Sequence, residues 1–112
     1  MLTRYALFEG SVKQGQTEAF RTYVNEHLVP LWTQFDGALE VRVMSGEDRD
    51  EGAPEFPLIL AISYPDEAAM ERALSCDARF KSRDVTGVMV EQFFDGRIHH
   101  HVTSATEHPL QN

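Results

Sequence analysis

The chain has 112 residues, 42% of them hydrophobic and 25% charged, a balance that suits one soluble globular domain and excludes a disordered one. Ten Lys and Arg stand against 18 Asp and Glu, a net charge of −8. That excludes phosphate-backbone binding, which needs a basic patch, and docking to anionic membrane surfaces, so we expect no nucleic-acid and no membrane partner.

In chain order, residues 4–12, "RYALFEGSV", are rich in β-formers and read as a strand, ended by "KQGQ". From Thr17 the period becomes helical. Phe20, Val24, His27, Leu31 and Phe35 fall on one stripe, which Tyr23, Leu28 and Trp32 widen. Thr17 is the expected N-cap, with Glu18 where the helix dipole favours an acid. Pro30 lies inside this pattern and cannot donate to the carbonyl of Glu26, so a kink or break is expected beside His27. Asp36-Gly37 stops the helix. "ALEVRVM" (38–44) alternates cleanly, with Leu39, Val41 and Val43 on one face and Glu40 and Arg42 on the other.

Residues 45–57 hold five acids against one arginine, together with glycine and proline, and read as a solvated loop. "LILAISY" (58–64) is apolar almost throughout, as a strand covered on both faces would be. Pro65-Asp66-Glu67 opens a helix whose buried stripe is Met70, Ala73 and Leu74. Asp77 is placed to cap a further helix carrying Phe80, Val85, Val88, Met89 and Phe93. Gly87 in that helix costs about 1 kcal/mol relative to alanine, so a close helix–strand contact is expected there. "FFDG" (93–96) turns the chain into the last strand, "RIHHHVTSA" (97–105).

The order β-α-β-β-α-(α)-β predicts an α+β, ferredoxin-like fold: a four-stranded antiparallel sheet with helices on one face. The first and third strands should be central. One domain is expected over 1–112, with its core at about 4–105 and a tail at 106–112. The second sheet face, bearing Leu39, Val41 and Val43 or their neighbours, would be left bare, and a bare apolar face implies a partner. Homodimerisation through the sheet faces is the economical expectation.

Two histidines stand out as candidate catalytic groups. His27 shares the stripe of Phe20, Val24 and Leu31, so it should point inward, where a neutral imidazole serves as a general base. The bland alternative is a buried histidine bonded to the carbonyl that Pro30 frees. On the last strand His99 and His101 share one face and His100 takes the other with Ile98 and Val102. The more apolar face is assigned to the helix side, aiming His100 at the same cavity. Trp32, Phe35, Tyr64, Phe80 and Phe93 are the candidate substrate-binding aromatics, each also suited to plain core. His99 and His101 lie roughly 6.6–7 Å apart at Cα, but a zinc site needs further ligands and no acid or cysteine stands at recognisable spacing. No metal site is therefore assigned.

Cys76 is the only cysteine; it excludes an intrachain disulfide and suggests a reducing compartment. Beside Asp77 its thiolate is disfavoured, and it reads as an inert helix-end residue. No Gly-rich phosphate loop, nucleophile elbow or CxxC is present, so no cofactor is expected. "MLTRYALFEG" lacks the apolar run of a signal peptide, and a cytoplasmic location is expected.

"FRTYVNEHLVPLW" (20–32), "FDGALEVRV" (35–43) and "PDEAAMERALS" (65–75) leading to "FFDG" resemble the EthD-like branch of the dimeric α/β-barrel superfamily, over roughly residues 4–104. His27, Pro30-Leu31 and Gly37 match that family's His, Pro-Leu and turn glycine, with one extra residue between His27 and Pro30. The resemblance implies a homodimer whose sheets pack into a barrel, each protomer holding a mostly apolar pocket between helices and sheet. It also implies cofactor-free oxygenase, isomerase or cyclase activity on small aromatic or lactone-like compounds. The leading expectation is a homodimer that binds a small apolar or aromatic metabolite and acts as a cofactor-independent monooxygenase or isomerase with a histidine base. The alternative is a non-catalytic ligand-binding, stress-response or interaction module of the same fold.

Overall fold

The computed structural model describes residues 1–111. In chain order the elements are β1 (Leu2–Val12), α1 (Thr17–Tyr23), one π-helical turn (Val24–Leu28), α2 (Val29–Trp32), β2 (Glu40–Ser45), β3 (Leu58–Tyr64), α3 (Glu67–Leu74), α4 (Asp77–Phe93) and β4 (Phe94–Ser104). The four strands form one antiparallel sheet in the order β2-β3-β1-β4. With the helices on one face, this is the expected ferredoxin-like arrangement, and β1 and β3 are central. Residues 105–111 are exposed and carry no regular structure. Among the described residues no helix is long and apolar enough to cross a membrane.

The core lies between helices and sheet. Phe8, Leu58, Leu60, Ile62, Tyr64 and Phe94 rise from the strands to meet Phe20, Val24, Leu28, Trp32, Ala69, Ala73 and Met89. Leu28 and Met89 are 0% exposed, so truncating either to alanine should cost about 2–5 kcal/mol.

The helical stripe differs from the expected one by a residue. Phe20, Val24, Leu28 and Trp32 are buried, each four apart, whereas His27 is exposed. Steps of four overshoot an α-helical turn by about 40° each. The π turn, in which Val29 N–H donates to Val24 C=O five residues back, takes that overshoot up. It falls where Pro30 lacks the N–H to bond Glu26, so the expected irregularity is present in the form of a wider turn.

Other ends differ in detail. Gln16, not Thr17, is the N-cap of α1, and Cys76, not Asp77, that of α4, neither with a side-chain cap bond. Asp66 does cap α3, accepting from Ala69 N–H at 2.8 Å. No turn separates α4 from β4. Phe94 still donates its N–H to Val90 C=O yet is already extended, and it pairs with Val12. Its buried ring packs edge-on to Phe8 (6.0 Å) and stacked on Phe20 (6.5 Å), which fixes the chain at the junction. Two residues on, Gly96 opposes Gly10, where a Cβ on either would strike the other strand's backbone.

Gly87 does not meet a strand. A Cβ there would touch nothing within 4 Å, and the residue is exposed. The faces of β2 are also redistributed. Val41 and Val43 pair with Ile62 and Leu60 and take the helix side, while Leu39 precedes the strand and is exposed. The open face instead carries two cross-strand rows, Met44–Ile59–Leu7–His99 and Arg42–Ala61–Tyr5–His101.

Candidate functional site

Between α4 and the sheet a cavity of about 530 Å³ opens. Its floor is the helix side of three strands: Arg4, Ala6 and Phe8 of β1, Leu60, Ile62 and Tyr64 of β3, and Ile98 and His100 of β4. Trp32 and Phe35 close one end. Arg79, Ser82, Arg83, Thr86, Gly87 and Val90 of α4 form the opposite wall. Strand alternation explains the floor, since Arg4, Ala6 and Phe8 share a face with their register partners Val102, His100 and Ile98.

His100 therefore reaches the cavity from the face the sequence assigned to it. Burial pushes its pKa down, and the positive Arg4 and Arg79, with neighbouring His99, add to the shift. At neutral pH the imidazole is uncharged and has one nitrogen able to accept a proton. Tyr64, 1% exposed, has its phenol pKa pushed up, chiefly by burial, so it stays protonated and can donate. The arginines keep their charge; burial lowers the pKa of Arg4, reinforced by Arg79, and that of Arg79, reinforced by Arg83.

His27 is not in this cavity. Its ring lies 4.6 Å from that of Tyr23 on the outer surface of the π turn. The inward expectation counts α-helical steps as far as His27, whereas the wider turn already begins at Val24.

Of the five aromatics, Trp32, Phe35 and Tyr64 line the cavity. Phe93 does not; it packs on Tyr23 at 5.4 Å between ring centroids, and Phe80 points outward from α4, 48% exposed. An apolar stripe along α4 passes over Arg79, Ser82, Arg83 and Thr86, and the β-former pattern of β1 gives Arg4 no special place. The signal was present: Arg79, Arg83, Thr86 and Val90 recur at helical spacing, and Arg4 alternates with Ala6 and Phe8.

A second hollow of about 680 Å³ lies under the loop before β3, against Val12, Phe20 and Arg21. It is larger, but five carboxylates of that loop dominate its rim and no histidine reaches it. On the open sheet face His99 Nε2 lies 2.7 Å from Glu9 Oε1, and Arg97 lies 3.6 Å from the same oxygen. The hydrogen bond with His99 is the main cause holding the Glu9 carboxyl below its usual range. Cys76 is free and half-buried. Among the described residues no three His, Cys, Asp or Glu side chains converge as a metal site would require.

No family model matches the sequence, and no curated protein does. Solved structures do. The architecture, a four-stranded antiparallel sheet with helices on one face, is the ferredoxin-like α+β fold shared with an EthD family protein from Bacillus halodurans C-125. That structure superposes with a TM-score of 0.76 at 17% identity, covering 95% of this chain and 99% of that one. SnoaB from Streptomyces nogalater, a cofactor-independent oxygenase, gives 0.61 at 13% identity over 96% of this chain and 94% of its own. HapK from Hahella chejuensis gives 0.65 at 12% identity over 100% and 99%. At these identities the likeness is one of fold.

Proposed function

We propose that the cavity under α4 binds a small, largely aromatic metabolite and that His100 is the general base of a cofactor-independent reaction upon it. The observation that carries this reading is a histidine, its pKa pushed down by burial, in the lining of a cavity shared with Trp32 and Phe35. In the oxidative form His100 takes a proton from an acidic ring carbon. The carbanion gives its electrons to O2, a C–O bond forms, and cleavage of the peroxide O–O bond releases water and leaves a carbonyl. One CH2 and one O2 thus become one C=O and one H2O. In the isomerising form the same proton returns to another carbon and no oxygen is consumed. The fold shared with an oxygenase that needs no cofactor supports the first form.

The catalytic unit in this reading is a homodimer joined through the open sheet faces. Leu7, Met44, Ile59 and Tyr5 offer it an apolar centre, with Glu9, Arg97 and His99 at one side.

Purified protein should be screened against phenols, quinones, lactones and polyketide-like aromatics for oxygen uptake and for spectral change without it. His100→Ala should lose turnover by about 10²–10⁴-fold, the usual contribution of a positioned base. His27→Ala should keep it. Equal activity in His100→Ala and the wild type would rule this base out. Binding without turnover in both would assign the cavity to a ligand carrier.

A further inference from the structure

The cavity carries a charge balance opposite to that of the chain. Arg4, Arg79, Arg83 and His100 line it, and no Asp or Glu does, in a protein of net charge −8. Among the described residues the arginines in ion pairs are Arg42, Arg72 and Arg97, and no carboxylate reaches Arg4, Arg79 or Arg83. Arg79 is oriented by one hydrogen bond, Nη1–H to the carbonyl of Leu74 at 3.1 Å, and its other donors are left for a ligand. Arg4 and Arg79 are half-buried; Arg79 lies close enough to lower the pKa of Arg4, and both lower that of His100, a concentration of positive charge that an anion in the cavity would relieve.

An exposed arginine is commonly no more than a charged tip on an apolar stem, and Arg83 alone would carry nothing. Two half-buried guanidiniums on facing walls, one on β1 and one on α4, are different. Each offers a planar fork that matches a carboxylate or sulfonate. Resting on the cavity as the ligand site, we propose that its ligand is an aromatic acid. The ring lies between Trp32, Phe35 and Phe8, and the anionic group is held by Arg4 and Arg79, with Arg83 at the rim. The same contacts place His100 beside the ring rather than beside the acid's own proton, because the acid is already ionised.

A matched pair of probes tests this: 1-anilinonaphthalene-8-sulfonate and N-phenyl-1-naphthylamine, which share their rings and differ by the sulfonate. Fluorescence titration should show the wild type binding the anion about tenfold or more tightly than the neutral probe, as expected of a charged hydrogen bond. The ratio should fall towards one in Arg79→Gln and Arg4→Gln and survive in Arg79→Lys, with circular dichroism confirming the fold of each. Gly87→Phe, which sets a ring on the cavity wall, should weaken both probes. Equal binding of both probes by the wild type, weakened by Gly87→Phe, would overturn the acid preference and leave the cavity as a ligand site. An anion preference that persists in Gly87→Phe would overturn it also, by placing the probe elsewhere. Failure of the wild type to bind either probe would remove the cavity reading and this inference with it.

Discussion

The two histidines show how much one residue's environment decides. His27 and His100 are both neutral-pH bases by type, yet one sits on Tyr23 in solvent and the other on the wall of a cavity. The groups facing His100 are Arg4 from β1, Tyr64 from β3, Arg79 and Arg83 from α4, and His99 beside it. All that are charged are positive, and burial acts in the same direction, so the imidazolium is disfavoured in the folded state. The base is the neutral form. Activity should therefore fall away in acid only below the usual histidine value of 6.5. Arg4→Gln removes one repelling charge and should move that acid limb to higher pH; a pH–rate profile of the two proteins checks it. For stability the sign is the same. The unfolded histidine takes a proton as pH drops through about 6.5, before folded His100 does, so the folded form loses ground over that interval and no further below it. Strand alternation alone made the placement of His100 legible. His27 was misplaced because nothing in a residue list announces whether the chain steps by three or by four at Val24.

At the scale of the element, the π turn and α4 together make the cavity. The turn keeps Leu28 and Trp32 in line with Val24, so Trp32 reaches the cavity's end and His27 is carried outward. Element order, the centrality of β1 and β3 and the two-sided burial of β3 followed from hydrophobic period. End residues did not, since Gln16 and Cys76 cap without side-chain bonds and Phe94 passes from helix to strand through tertiary packing. Gly87 was read as a contact residue and is a gap residue. A methyl there meets no atom, so Gly87→Ala should gain about 0.5–1 kcal/mol by helix propensity. Thermal unfolding should show a midpoint higher by a few degrees. A lower midpoint would mean that α4 lies against the sheet after all.

Over the whole molecule, charge is sorted. Five carboxylates gather on the loop before β3, while the cavity gathers arginines. A positive hollow with low-dielectric walls focuses field on a small anion even in an acidic protein. The open sheet face is sorted too, with an apolar row from Met44 to Leu7 flanked by Arg42 and His99. A charge in the middle of that row would have to be buried on association. Light scattering should give the wild type twice its 12.7 kDa chain mass, and Leu7→Lys the mass of one chain with its circular dichroism intact. A wild-type monomer would dismiss the sheet-face dimer. The existence of an open face was legible from the one-sided helix count. Which residues of β2 lie on it was not, because alternation separates the two faces of the strand without saying which of them meets the helices.

The pairing of β1 with β4 sets positions 6 and 100 side by side and floors the cavity with both. Such contacts come at the largest loop-closure entropy the chain has, and pairings of that range make folding slow. Helix α4 can form early from local contacts with Arg79 and Arg83 already on one face, but without β1 and β4 there is nothing beneath them. The binding site is thus a property of the finished topology. A lesion that weakens strand pairing anywhere in the sheet diminishes the population of competent sites without touching a single residue of the cavity.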